Sequence, residues 1–140
     1  LKVVCGGTTS QIVSTHTGEQ LTVTLNYENP GIPPAADIKG IDLVTEGVLT
    51  IGKTLDMLKR FPYMDRSEKV IALSKKDAAS RLVRILLEES TEVRFLVGRA
   101  INPAHQNPEM PISLGLKLNL IKEMKAELEK IGKIVNIEYF

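Results

Sequence analysis

The residues best suited to chemistry fall in three short stretches, each directly after an apolar run. The first is Gly6-Gly7-Thr8-Thr9-Ser10. Two residues without Cβ atoms let a ligand approach the backbone, and three hydroxyls follow beside the free N–H groups of a helix start, which suits phosphate or carboxylate. The run matches neither the P-loop nor the dinucleotide fingerprint, so a plain capped turn is the competing reading. The second stretch, Thr45-Glu46-Gly47, repeats the arrangement. There Glu46 can accept a bond from a ligand hydroxyl or amine, or simply complement a helix dipole. The third runs from Gly98 through Arg99, Asn102, Pro103, His105 and Gln106, and offers a fixed charge, two amides and one titratable imidazole. A loop histidine is more often a surface hydrogen-bonding group than a catalyst, and no catalytic residue is assigned.

Other chemistry has less support. His16 and His105 are far apart in sequence, and Cys5 has no second thiol at ligand spacing, so no metal site is expected. Cys5 ends an apolar run and reads as a small core residue. No cofactor motif is present, which leaves any cofactor unknown.

These stretches need a scaffold. Lys2 to Cys5 reads as a strand, followed by a glycine turn and a helix to about Thr15. Leu21 to Tyr27 alternates apolar and polar residues, the period of a half-exposed edge strand. Asn29 to Ala36, with three prolines and a glycine, suits an irregular crossing loop. Ile41 to Thr45 is the next strand, and a helix then runs to about Arg60 with Ile51, Leu55 and Leu58 on one face. Asp77 is a good cap for a helix that buries Leu82, Val83, Leu86 and Leu87. Val93 to Val97 reads as a strand. Leu116, Leu120, Met124, Leu128 and Ile131 recur at near-helical spacing, with Gly132 placed for a left-handed cap. Ile134 to Phe140 closes the chain as a strand.

Helices and strands therefore alternate. That pattern predicts a single α/β domain over residues 1–140: a three-layer sandwich with a mainly parallel, Rossmann-like sheet of about five strands and an antiparallel strand at one edge. In such a sheet ligands bind beyond the carboxyl ends of the strands. The three stretches would meet there around one small anionic ligand.

With 43% hydrophobic and 25% charged residues the chain is ordinary for a globular protein. Its formal net charge of +1 supplies no global field to attract nucleic acid or an anionic membrane, and neither is expected as a partner. No apolar run approaches the roughly 20 residues that span a bilayer, and the N-terminus lacks the order of a signal peptide. One cysteine fits a reducing compartment, so the cytoplasm is expected. The chain opens at Leu1 directly into an apolar strand, which reads as a fragment of something longer.

Three segments carry a family likeness: Val4-Cys5-Gly6-Gly7-Thr8-Thr9, Pro33-Pro34 leading into Gly40-Ile41-Asp42-Leu43-Val44-Thr45-Glu46-Gly47, and Asn102-Pro103-Ala104-His105-Gln106. They resemble the segment that follows the phosphatase domain in bacterial metal-dependent serine/threonine phosphatases similar to stage II sporulation protein E. The resemblance implies an accessory domain, C-terminal in its parent, with the attached phosphatase domain as its partner. It does not imply phosphatase activity here. That active site needs an Asp-Gly pair among several metal-binding aspartates, and this chain has no Asp-Gly or Asp-Asp pair.

Three functions are compatible with these residues. A regulatory module could sense a small anion across the three loops. A small transferase or hydrolase could use His105 as acid or base and Gly6 to Ser10 as an anion hole. A dimerisation or interaction module, including a homodimer, could use an edge strand from Leu21 to Tyr27 or Ile134 to Phe140.

Overall fold

The computed structural model describes residues 1–23, 29–99 and 110–140, apart from the side chains of 110–113. The described elements run β1 (Val3–Cys5), α1 (Gly7–Thr17), β2 (Thr22–Val23), β3 (Ala36–Asp37), β4 (Leu43–Thr45), α2 (Val48–Arg60), a 3-10 turn (Phe61–Tyr63), α3 (Arg66–Ser74), α4 (Ala78–Glu88), β5 (Glu92–Val97), α5 (Met110–Lys130) and β6 (Ile134–Tyr139).

The expected α/β class holds, but the strands are arranged differently. Instead of one mainly parallel sheet of about five strands, the described residues form two sheets. One is mixed, in the order β1-β4-β3-β2, and the other is the parallel pair β5-β6. In the mixed sheet only β1 and β4 are parallel; β3 runs antiparallel to both β4 and β2. The reason lies in the connection from α1 to β4. A parallel neighbour needs a long crossover, whereas this segment returns as two-residue strands, and Pro30, Pro33 and Pro34 cannot donate to a longer ladder. Of the expected edge strand Leu21 to Tyr27, Thr22 and Val23 form β2, and residues 24–28 lie outside the described residues.

Side chains rather than a described ladder join the two sheets. Leu43 of β4, Val97 of β5 and Val135 of β6 belong to one buried cluster with Ile51, Leu55 and Leu58 of α2 and with residues of α4 and α5. Successive residues of a strand point to opposite faces. Val3 and Cys5 accordingly pack on this cluster, while Val4 and Val44 join Ile38 in a second one against which Val13 of α1 packs. Helix α1 therefore covers one face of the mixed sheet, and α2, α4 and α5 build the core on the other. The outward residues of β5–β6 are less covered: Leu96, Ile134 and the neighbouring Phe140 are 64%, 63% and 68% exposed.

Local sequence explains most helix boundaries. Asp77 accepts from the Ser80 amide at 3.0 Å, as a cap should. Gly132, with φ 85°, ends α5 in the left-handed region, and the Lys133 amide donates back to Leu128 in the six-to-one bond of a Schellman motif. Helix α3 was not expected. It is announced by Asp65 and Glu68, which exchange bonds of 2.8 Å with each other's backbone amides in a capping box. In α5 the buried stripe is Ile121, Met124 and Leu128; Leu116 and Ile131, which the spacing assigned to it, are exposed. Finally, Lys133 donates to the carbonyls of Leu87 (2.8 Å) and Ser90, tying the end of α4 to the residue before β6.

Candidate functional site

Two of the three expected stretches meet. The Gly6 amide donates to the Thr45 carbonyl at 3.0 Å, extending the β1–β4 ladder to the point where both strands turn into helices. Gly6 has φ 122° and ψ 134°, a conformation that residues with a Cβ rarely adopt. A Cβ on Gly47 would stand 3.5 Å from the Gly6 Cα. The two glycine turns thus lie against each other, and the N-termini of α1 and α2 open at one edge.

The two termini differ. No side chain caps α1, and Thr8 and Thr9 in its first turn are exposed. A helix that begins this way leaves its first amides free for solvent or an anion. Helix α2 is occupied by its own chain: a Glu46 carboxylate oxygen accepts from the amides of Leu49 at 3.2 Å and Thr50 at 3.4 Å. These bonds are at or beyond the long end of the usual range, so this is a weak cap. The dipole-complementing reading of Glu46 is therefore realised, on the residue next to Gly47, whose turn packs on Gly6.

Some of the expected hydroxyls point inward. Ser10 is buried and donates to the Gly6 carbonyl at 2.7 Å; Thr45 is buried and donates to the Glu46 carbonyl at 2.6 Å. Both brace the turns. The thiol of Cys5 lies beside this edge within the core. Burial pushes it above its ordinary 9.0, a hydrogen bond with Thr45 partly offsets this, and the Glu46 charge adds to the rise. A thiol so held stays protonated near neutrality, in keeping with a structural cysteine. Thr50 carries a feature the sequence did not signal: its buried Oγ1 has no hydrogen-bond partner among the described residues.

The third stretch is described only at its start. The Gly98 carbonyl accepts from Lys117 at 2.9 Å, the Arg99 amide donates to Phe140 at 2.8 Å, and the Arg99 guanidinium sits 5.8 Å from the centre of the Tyr139 ring. These contacts fasten the end of β5 to α5 and to the end of the chain. Asn102, His105 and Gln106 lie outside the described residues. Among the described residues no three histidine, cysteine or acidic side chains are grouped to hold a metal, and no helix is long and apolar enough to cross a membrane.

The fold and edge thus define an α/β protein with two helix N-termini side by side, one open and one weakly self-capped. Comparison with protein-family models, curated proteins and solved structures found no match to this chain.

Proposed function

We propose that this chain is an accessory ligand-sensing domain of a cytoplasmic bacterial serine/threonine phosphatase of the stage II sporulation protein E-like kind. It binds a small anion at the edge shared by α1 and α2. One observation carries the reading: α1 opens without a side-chain cap where the Gly6 turn packs on Gly47. The amides of Gly7, Thr8 and Thr9 receive the anionic group, as helix N-termini do. Glu46 lies beside it, so a bare anion would meet repulsion. A ligand carrying a hydroxyl or amine as well can donate to Glu46, and binding becomes selective for an anion with a neighbouring donor. The three quoted motifs support attachment to a phosphatase, whose activity ligand binding would bias.

The test is titration of the 15N-labelled chain with inorganic phosphate, glycerol phosphate and citrate, followed by amide chemical shifts. Saturable shifts at Gly7, Thr8 and Thr9, larger for the hydroxylated anions than for phosphate, are expected. Absence of saturation by any of them at millimolar concentration refutes the anion site.

Self-association is a second reading, favoured by the exposed Leu96, Ile134 and Phe140 on β5–β6. Light scattering over a concentration series decides it. A strict monomer at the highest concentration rules out the homodimer.

A further inference from the structure

Away from the two glycine turns, a cleft of about 400 Å³ opens between α2, α3 and the start of α4, with Asn29 to Ile32 along one side. Its volume lies within the roughly 300–1,000 Å³ of small-molecule sites. Helix α2 contributes Lys53, Asp56, Met57 and Arg60, at i, i+3, i+4 and i+7, so one face of the helix forms this wall. The α3 side contributes Glu68, Ile71, Ala72 and Lys75 at similar spacing.

The charges on these walls are not paired with one another. Glu68 is committed to the Asp65 amide, and Asp77 accepts from both the amide and the hydroxyl of Ser80, at 3.0 and 2.8 Å. Arg60 spends its Nε on the Asp56 carbonyl at 3.3 Å, leaving its terminal nitrogens. Neither Lys53 nor Lys75 makes a hydrogen bond or ion pair with any described residue, and no carboxylate among them lies within ion-pair distance of Arg60. Among the described residues, three cationic groups therefore line the cleft, while two of its three acids are turned to local capping bonds. The apolar lining is also incomplete. Ile32 and Ala72 are buried, yet Ile71 beside them is 56% exposed.

We propose that this cleft is a second binding site, for a small amphiphilic anion. Its carboxylate or phosphate lies among Lys53, Arg60 and Lys75, and its short hydrocarbon part rests on Ile32, Ile71 and Ala72. The cations select the charge, and the half-covered apolar wall selects against a bare ion. Asp56, whose carboxylate makes no hydrogen bond or close ion pair among the described residues but feels the charge of Lys59, disfavours a second negative charge near α2.

The 15N-labelled chain is titrated with hexanoate, hexyl phosphate, inorganic phosphate and hexylamine, with amide shifts read at Lys53, Met57, Ala72 and Ser80. Saturable shifts are expected with hexanoate or hexyl phosphate, at least about tenfold tighter than with inorganic phosphate, because burying even two methylenes gives that factor. Whichever binds more tightly identifies the headgroup. The variant Lys53→Gln/Arg60→Gln/Lys75→Gln alters exposed side chains only and should keep its urea midpoint while losing at least about tenfold in affinity. Three results overturn the proposal: no saturable shift with either hexyl anion, equal affinity for hexylamine, or unchanged binding by the triple variant. The Gly7 to Thr9 amides report separately on the glycine-turn site, so either site can fail alone.

Discussion

Replacing Gly6 or Gly7 by alanine tests the geometry of the glycine turn, because two adjacent identical substitutions should act in opposite directions. At Gly6 the backbone has φ 122°. Holding an alanine there costs about 1–3 kcal/mol. The new Cβ would sit 3.6 Å from Thr9 Oγ1, an ordinary contact, so crowding adds little and the conformation decides the outcome. Gly7 is the first residue of α1, has no positive φ, and a Cβ there meets nothing within 4 Å. Alanine at that position narrows the unfolded ensemble and stabilises by about 0.4–1 kcal/mol. For 140 residues the unfolding entropy is roughly 0.3 kcal/mol/K, so each kcal/mol moves the midpoint by about 3 °C. Gly6→Ala should melt about 3–10 °C below the parent and Gly7→Ala about 1–3 °C above it, read by circular dichroism with urea titration to check that the slope is unchanged. A Gly6→Ala protein as stable as the parent, or a Gly7→Ala protein less stable than Gly6→Ala, would refute the turn geometry.

Other outcomes follow from the same structure. Leu128 lies at the centre of the core with 0% exposure, and Leu128→Ala should cost about 2–5 kcal/mol in urea unfolding. Glu46→Ala removes the weak α2 cap and should cost about 0.5 kcal/mol, the low end of the capping range, while strengthening phosphate binding at α1 and weakening that of a hydroxylated anion, as calorimetry would show. Cys5 should be alkylated by iodoacetamide much more slowly in the native protein than in urea, because burial raises its thiol; equal rates by mass spectrometry would contradict the packing. The hydrogen bond between Lys59 and Glu123, at 2.5 Å, lowers the carboxyl and raises the ammonium. The depressed carboxyl contributes stability above its unfolded value and loses it as pH falls through the folded one. The raised ammonium contributes below its unfolded value and loses it as pH rises through the folded one. The stability gap between parent and Glu123→Gln should therefore narrow at both ends of a pH series of urea titrations.

What could be read in the sequence depended on whether the signal was local. Asp77, Gly132 and the Ile51, Leu55, Leu58 stripe carry their physics within a few residues, and each was placed correctly. The cap of helix α3 was equally local, since Asp65 and Glu68 spell a capping box, but its nine residues bury only Ala72 and so carry no apolar stripe. Strand order is not local. Nothing near Ala36 states that it pairs antiparallel with Val44, and the alternation of elements alone suggested one mainly parallel sheet with an antiparallel strand at its edge. At the candidate site the approach of Gly6 to Gly47 followed from the two strand ends, whereas the inward turn of Ser10 and Thr45 depends on carbonyls that only the fold brings near. The α2–α3 cleft could not be read at all. Lys53, Asp56 and Arg60 look like any solvated helix face until a second helix stands opposite them.

Two hydrogen bonds from Lys133, to the carbonyl of Leu87 in the last turn of α4 and to that of Ser90 just beyond it, make one ammonium a latch. The Leu87 carbonyl belongs to the negative end of a helix dipole, and the lysine reaches both carbonyls only once α5 has folded back to bring the last strand alongside β5. Losing that charge, by acetylation or by Lys133→Gln, would loosen the terminal strand and the helix end together. Fraying at the two places would then show a single rate in amide exchange.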